Sequence, residues 1–376
     1  MAQVSDNSIK RAIVTIKVFG VGGGGNSVLA RIAESDFLDI ELVAINTDAR
    51  ALSDMNKLGI KSLQIGQSLT KGRGTGGKPE LGELAAKNEE EQIKNMMQGA
   101  DMIFITAGMG GGVGTGATPV VARLAKELGI LTVGIMTVPF SFEGVRKKRI
   151  ANEGIIKMQS YLDALIVVQN DNLMKQDRKL SLVDAFHTAD EALRQAIRCI
   201  TELILTIGLV NVDFADVTTI FTQSESADAL LGIGQSNRNA VEAVKQAATS
   251  TLTDKSLKGA RGIILNITGD EKLSLYDVTE ATDYIYSQTE DNVNIIFGLV
   301  IDNSMDGSVQ AMIIATDFSD SLAIKSPAVQ PPKSKETISQ GFNLDVPNFM
   351  SSTTGGNQTN LKMPSFSLLS NKPEQK

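Results

Sequence analysis

The sequence predicts an α/β fold in which a Rossmann-like domain with a parallel sheet is joined by a long central helix to a smaller α+β domain. Short apolar runs alternate with amphipathic segments through the first half of the chain, as in a parallel sheet covered by helices. One amphipathic segment is long enough to connect two domains, and periodicity is lost after residue 318, where polar residues and proline dominate. The expected organisation is a flexible N-terminus (1–11), a ligand-binding domain (12–180), a central helix (181–206), a loop (207–217), an α+β domain (218–318) and a disordered tail (319–376).

The most informative stretch is the glycine-rich turn Ala107–Pro119, which we call the second glycine turn. It follows an apolar run, Met102–Thr106, that is typical of a strand buried on both faces. An amphipathic helix should follow, with Thr118 as its N-cap and Pro119 in its first turn. The next buried strand is expected at Ile130–Val138, which completes a βαβ unit.

The glycines of this turn suit a phosphate group. Because the turn has hardly any side chains, its backbone N–H groups can converge on one anion. The helix N-terminus behind the turn adds partial positive charge. A flexible linker is the alternative, but linkers do not usually join a buried strand to a capped helix within a few residues. The glycines concerned are Gly108, Gly110, Gly111, Gly112, Gly114 and Gly116.

A similar turn, Gly20–Ser27, occurs earlier in the chain, and we call it the first glycine turn. It follows an expected strand at 12–19 and precedes a helix expected from about 28 to 33. Its glycines satisfy G-x-G-x-x-G, and Asp48 lies where a dinucleotide fold places its ribose-binding acid. A nicotinamide oxidoreductase is therefore an alternative, although it gives no reason for the second glycine turn. The sequence has no G-x-x-x-x-G-K-[ST], which excludes a P-loop protein.

Composition narrows the possible chemistry. The formal net charge of the 376 residues is −7, which does not favour a nucleic-acid partner. The single cysteine, Cys199, lies in a helical pattern and is interpreted as a buried structural thiol, and the single histidine, His187, argues against a clustered His/Cys metal site or a Ser-His-Asp triad. We expect neither a signal peptide nor direct insertion into a membrane, since no apolar run reaches the roughly 18 residues that a span requires.

Further segments carry polar residues toward the same edge of the sheet. Residues 66–78 are expected to form a mobile loop near the glycine turns, followed by a charged helix at about 79–98. Pro139–Arg149 joins a strand end to a basic helix and could supply one carboxylate and one cation to a ligand. Asp213 and Asp216 flank two apolar residues in the loop after the central helix, where turn or capping roles are the ordinary interpretation. In the α+β domain we expect strands near 218–222, 261–268, 293–300 and 308–316, with helices near 237–249 and 274–287.

Several of these motifs together resemble the FtsZ family of bacterial cell-division proteins, the prokaryotic relatives of tubulin. Gly108–Gly116 looks like the tubulin signature G-G-G-T-G-[ST]-G, and Asn211–Val217 looks like the loop that completes the GTPase site. With G-V-G-G-G-G in the first turn and P-F-S-F-E-G at 139–144, the resemblance is collinear over residues 12–318. It implies the tubulin/FtsZ fold, with 12–180 as a GTP-binding domain.

The resemblance also implies an assembly-dependent GTPase that uses GTP/GDP and Mg²⁺ and polymerises head to tail into protofilaments of the division ring. Asp213, Asp216 and Asn211 would act on the GTP of the neighbouring subunit, with no protein side chain assigned to the metal. Carboxylate oxygens at Asp190 could accept from both ring N–H and exocyclic amino groups of guanine, which adenine cannot offer. The implied nucleotide-binding residues are Gly22, Gly23, Gly24, Asn26, Ser27, Gly110, Gly111, Gly112, Gly114, Thr115, Gly116, Glu143, Arg146, Lys147, Asn170, Phe186 and Asp190.

The sequence departs from the family pattern at Val113, Ser27 and Lys147, where Thr, Asn and Arg are usual. A non-hydrolysing paralogue is therefore a third hypothesis, although retention of both Asp213 and Asp216 argues against it. Leu344–Met350 resembles the peptide by which the family docks onto membrane-tethering and regulatory division proteins. The implied location is cytoplasmic, at the midcell division site on the inner face of the membrane.

Overall fold

The computed structural model describes residues 14–34, 40–176, 181–206, 208–210, 212–224, 226–249, 253, 256–289 and 292–318. The expected flexible N-terminus, Asn211, the tail and the docking peptide at 344–350 lie outside the described residues.

The described residues form one ten-stranded sheet with the order β3-β2-β1-β4-β5-β6-β7-β10-β8-β9. The strands from β1 to β6 pair in parallel, as expected of a Rossmann-like domain. Only Leu165↔Asp228 and Ile166↔Ala229 continue the ladder from β6 to β7, beyond which β10 is antiparallel to both of its neighbours. The strands are β1 Ile16–Val21, β2 Glu41–Asn46, β3 Lys61–Gln64, β4 Met102–Gly108, β5 Leu131–Val138, β6 Ala164–Gln169, β7 Asp228–Asn237, β8 Ala260–Gly269, β9 Asn294–Ile301 and β10 Ser308–Phe318.

Helices cover both faces of the parallel part of the sheet, so its strands are buried on both sides and read as continuous apolar runs. The helices in the described ranges are α1 Gly22–Ala33, α2 Ala49–Lys57, α3 Gln67–Thr70, α4 Pro79–Asn88, α5 Glu90–Met97, α6 Val113–Glu127, α7 Val145–Gln159, α8 Asn170–Gln176, α9 Leu182–Leu205, α10 Phe214–Thr222, α11 Ala240–Ala248 and α12 Leu275–Gln288. Within those ranges, none is both long and apolar enough to cross a membrane.

The predicted fold class is confirmed, and the central helix corresponds to α9. The Ser181 side chain caps α9 by accepting from Asp184 N, and an apolar stripe that includes Leu193, Ile197 and Ile200 packs into the core. With 24 residues, α9 is about 36 Å long. The two ends of α9 are therefore separated by most of the length of a domain.

Some predicted elements were wrong. Residues 218–222 belong to helix α10, because Asp213 caps a helix there and overrides the strand propensity of the β-branched run; strand β7 was missed. Thr118 is not an N-cap: α6 begins at Val113, and the Thr118 hydroxyl donates to Gly114 O inside the helix. The expected helix over 79–98 is divided into α4 and α5 at Glu89.

Cys199 lies on the buried side of α9, and burial raises the pKa of its thiol to about 12. Because the thiolate is the reactive species, we expect native protein at pH 8 to resist a small thiol reagent and to react fully once unfolded in denaturant. Rapid labelling of the native protein, measured by mass spectrometry, would contradict this packing.

Candidate functional site

A cleft of about 190 Å³ lies at the carboxyl edge of the parallel sheet, where both glycine turns leave their strands. Parallel sheets bind ligands at this edge. Among the predicted site residues, those lining the cleft are Gly24, Gly108, Gly110, Gly111, Glu143, Lys147, Asn170, Phe186 and Asp190. Met109, Thr137, Pro139 and Ala189 also line it and were not predicted as site residues.

The two glycine turns touch each other, and several positions have no room for a Cβ atom. A Cβ on Gly22 would lie 2.7 Å from Gly114 N, and one on Gly24 would lie 2.9 Å from Gly108 N. Gly22 and Gly110 also have positive φ angles of +73° and +94°, which glycine adopts without strain. Helices α1 and α6 begin within these turns, so two positive helix N-termini meet at the cleft. The arrangement suits a polyanion.

Other predicted residues brace these turns from behind. Thr115 Oγ1 accepts from Gly110 N at 2.8 Å, and Ser27 Oγ donates to Gly23 O at 3.2 Å. In the amide orientation that satisfies its partners, buried Asn26 donates to Gly20 O and Gly22 O at 3.1 and 2.8 Å.

Two of the predicted phosphate-turn glycines are close-packing positions. A Cβ on Gly112 would lie 1.8 Å from Thr75 Oγ1, and one on Gly116 would lie 2.0 Å from Pro79 O. Both positions need glycine because the chain leading into α4 passes directly over the second glycine turn. Gly23 has open space around its Cβ position.

One carboxylate and one cation enter the cleft from the segment after β5, as the sequence indicated. Glu143 accepts from Phe140 N at 3.0 Å through Oε1 and from Lys147 Nζ at 2.9 Å through Oε2. Arg146 is exposed and does not line the cleft. Lys147 is therefore the cation that the structure places beside the glycines.

One end of the cleft is lined by an aromatic side chain, Phe186, and an amide side chain, Asn170. The Phe186 ring is 42% exposed and meets the Phe140 ring edge-on at a centroid distance of 5.3 Å. Asn170 is buried, and its Oδ1 atom has no hydrogen-bond partner. An unsatisfied buried acceptor is costly, so this atom is available to a donor on a ligand.

Asp190 lies at the same end of the cleft. Burial raises the pKa of its carboxyl group, while the Arg31 guanidinium, with Nε 3.3 Å from Oδ2, opposes that shift. Arg31 comes from α1 and was not predicted. No local signal could have found it, because the ion pair depends on how α1 packs against α9.

Asp213 and Asp216 are not part of this cleft. Asp213 Oδ1 accepts from Asp216 N at 2.8 Å and caps α10, so the ordinary capping interpretation is correct for Asp213. Both residues are exposed, and they follow α9, whose start lies at the cleft. Asp48 caps α2 by accepting from Arg50 N and Ala51 N. Within the described ranges, no three His, Cys, Asp or Glu side chains are grouped to hold a metal ion.

The chain is similar to known proteins over most of its length. Residues 15–177 match the family model for the tubulin/FtsZ family, GTPase domain, and residues 226–319 match the FtsZ family, C-terminal domain. An empty FtsZ dimer from M. jannaschii has a TM-score of 0.76 and 38% identity, covering 82% of this chain and 89% of that one. A mutant FtsZ from M. jannaschii has a TM-score of 0.75 and 38% identity, with coverages of 81% and 92%. A GTPgS-bound protofilament of CetZ2 from Haloferax volcanii has a TM-score of 0.66, 22% identity and coverages of 81% and 95%, a likeness of fold alone.

Proposed function

The chain belongs to the tubulin/FtsZ family of GTPases, and from that premise we propose that it binds GTP in the cleft, polymerises head to tail and hydrolyses GTP where two subunits meet. The observation that carries the proposal is that the cleft lies at the start of α9, whereas Asp213 and Asp216 follow its other end and do not line the cleft. About 22 Å of helix separate Asp190, which lines the cleft, from the end of α9 at Leu205. A carboxylate pair so far from its own cleft can reach only the cleft of another subunit. A heterologous contact of this kind generates a filament.

Within the cleft, each group has a proposed task. The N–H group of Gly111 and the helix N-termini hold the phosphates, and Lys147 adds a cation beside them. Asn170 accepts from the sugar or base, Phe186 stacks on guanine, and the Asp190 carboxylate accepts from two guanine donors. Adenine lacks that donor pair, so the site selects GTP.

Mg²⁺ would come with the nucleotide, because this ion prefers phosphate oxygens and water and the described residues form no carboxylate cluster. When bound, this ion would offset negative charge on the β- and γ-phosphates. The carboxylates of Asp213 and Asp216 on the adjoining subunit orient the attacking water and accept its proton. Asn211, which lies outside the described residues, is proposed to assist them.

Two exposed apolar surfaces support end-to-end assembly. The upper patch, beside the cleft, consists of Phe142, Val145, Leu182 and Val183, which are 59%, 85%, 58% and 64% exposed. The lower patch consists of Leu209, Val210, Leu275 and Tyr276, which are 72%, 44%, 83% and 74% exposed. Val210 bridges to Leu299 on β9, and α12 follows the parallel neighbour β8, so the lower patch forms at one end of that strand pair. Exposed apolar patches of this kind mark interaction surfaces.

The family and the terminal peptide suggest the biological setting. We propose that the filaments form the bacterial division ring at midcell, on the cytoplasmic side of the membrane. Residues 344–350 would attach them to membrane-tethering and regulatory proteins. A chain truncated near Phe318 should still polymerise and lose those partners; loss of polymerisation itself would contradict this division of roles.

The experiment that tests the proposed function measures phosphate release and light scattering against protein concentration, with Mg²⁺ and either GTP or ATP. Specific GTPase activity should appear above a threshold concentration together with scattering, and ATP should give neither. Scattering without phosphate release would instead favour the non-hydrolysing paralogue and implicate Val113, whose side chain replaces a hydroxyl. Activity independent of concentration would contradict an interfacial site.

Gly111→Ala tests the phosphate contact without disturbing the fold. Gly111 lines the cleft, and a Cβ there would meet no protein atom within 4 Å. We expect an unchanged melting temperature and GTP affinity lowered at least about tenfold, because the methyl group occupies space needed by the phosphates. Gly23 in the first glycine turn also has an open Cβ position and is an implied nucleotide contact, so Gly23→Ala is a second test of nucleotide binding and not a control. If Gly111→Ala bound GTP with normal affinity, the phosphates would not lie against the second glycine turn, and the proposed contact would be wrong.

A further inference from the structure

The segment from Gly66 to Lys78, here called the cationic loop, carries Lys71, Arg73 and Lys78 and has no acidic residue. All three side chains are exposed. Among the described residues, none of the three forms an ion pair or a side-chain hydrogen bond. Exposed cations with no intramolecular partner are available to another molecule.

The cationic loop is held firmly beside the second glycine turn. Buried Thr75 lies against Gly112, and Lys78 N would be 3.0 Å from a Cβ placed there. On the other side, Ala49 N donates to Gly72 O at 3.2 Å, and Arg73 forms an antiparallel bridge with Asp48. The loop nevertheless contributes no residue to the lining of the cleft. Its cations therefore occupy the outer rim of the cleft.

The end that carries the lower patch is acidic. Asp213 and Asp216 follow that patch along the chain, Glu271 follows the end of β8, and Asp306 lies in the turn after β9. These four exposed carboxylates, here called the acidic face, outnumber the exposed cations near them, Lys272 and Arg238, the second of which donates its backbone N–H to Gly307 O beside Asp306. The cationic loop and the acidic face thus carry opposite charge.

We propose that the cationic loop is an interaction surface for a second copy of this chain, docking against the acidic face of the next subunit. The inference rests on the proposed head-to-tail assembly and identifies charged groups that strengthen it. Cations at the rim of an interface accelerate association and make it salt-dependent. Because the apolar patches alone do not fix the rotation of one subunit on another, the opposite charges also set the register of the contact.

The test compares two variants that remove the same number of positive charges. In the first, Lys71, Arg73 and Lys78 are replaced by Gln; in the control, the exposed Lys57, Lys87 and Lys126 at the ends of α2, α4 and α6 are replaced by Gln. We expect the loop variant to raise the threshold concentration for GTP-driven assembly by about fivefold at low salt, with the difference shrinking near 0.5 M salt. The control variant should assemble like the wild type. Affinities for GTP and GDP, measured below the threshold concentration, should stay within about twofold of the wild type for both variants.

The loop variant should also inhibit assembly of the wild-type protein when it is added in small amounts. Its acidic face still joins a growing end, but its altered cationic loop accepts the next subunit poorly. An unchanged threshold in the loop variant, with normal wild-type assembly, would overturn the inference. A selective loss of GTP over GDP affinity would also overturn it, because the cations would then serve the γ-phosphate of their own subunit. If the wild type itself never assembles, the proposed function fails, which is a distinguishable result.

Discussion

Asp213→Asn should bind GTP normally and hydrolyse it at least about 100-fold more slowly than the wild type, the loss expected when a group that orients and deprotonates water is removed. Asparagine is a good choice because it caps helices as well as aspartate does. The hydrogen bond from Asp216 N that begins α10 can therefore persist, and only the charge is lost. Asp213→Ala removes the cap as well, at a cost of about 1 kcal/mol of stability.

The measurement is steady-state phosphate release at saturating GTP, with binding measured separately by nucleotide titration. Asp54→Asn is the matched control, since it removes one carboxylate from an exposed pair with Lys57 on the surface of α2. If Asp213→Asn hydrolysed GTP nearly as fast as the wild type, Asp213 would have no catalytic role and would act only as a helix cap.

Asp190→Asn should lose roughly 100-fold in GTP affinity and gain affinity for xanthosine triphosphate. A carboxylate accepts from both guanine donors, whereas the amide of asparagine presents its own N–H groups to the exocyclic amino group. Xanthine has a carbonyl at that position, which accepts from the amide instead. A mismatched pair of hydrogen-bonding groups in a partly buried site lowers binding affinity by about this factor of 100.

Competition binding with GTP, xanthosine triphosphate and inosine triphosphate measures this switch. Glu191→Gln is the control, because it removes the neighbouring carboxylate, which pairs with Arg194 and does not line the cleft. If Asp190→Asn still preferred GTP to the same degree, Asp190 would not contact the guanine base.

The same carboxyl group predicts how binding depends on pH. Burial raises the pKa of Asp190, with Arg31 opposing the shift, so protonation in the fold begins at a higher pH than for an ordinary aspartate. GTP affinity should therefore decline on acidification before exposed aspartates titrate. The stability of the fold changes with pH in the opposite direction to GTP affinity. Burial disfavours the ionised Asp190 carboxylate, so it lowers the free energy of unfolding at neutral pH, and this loss is relieved as pH falls and the carboxyl group is protonated. Asp190→Asn removes that cost and should not destabilise the protein at pH 7.

The sequence predicted those parts of the site that depend on local chain geometry. The glycine turns were recognisable because each joins a buried strand to a helix within a few residues, and both lie at the cleft. Glu143 and Lys147 line the cleft, and their segment was recognisable because it directly follows a predicted strand. Phe186 and Asp190 could not be recognised in this way. They occupy ordinary positions on a long amphipathic helix, and only the resemblance to a family identified them.

The failures have local causes too. The run Val217–Thr222 is β-branched and aromatic, so its composition favoured a strand until the Asp213 cap was seen to begin a helix. Thr118 and Pro119 resembled a helix start, yet the glycines before them already form the first turn of α6. Contacts between distant elements, such as Arg31 with Asp190, leave no trace in local sequence.

Mixing two inactive variants tests most directly whether the GTPase site is built from two subunits. Asp213→Asn retains its nucleotide cleft, and Asp190→Asn retains its catalytic carboxylates while binding GTP poorly. In an equal mixture with GTP, about a quarter of junctions should pair an intact cleft with an intact Asp213, so phosphate release should recover far above either variant alone. A mixture of Asp190→Asn with a chain carrying both substitutions is the control and should stay inactive. Absence of recovery in the first mixture, with co-assembly shown by sedimentation, would mean that each subunit hydrolyses its own GTP.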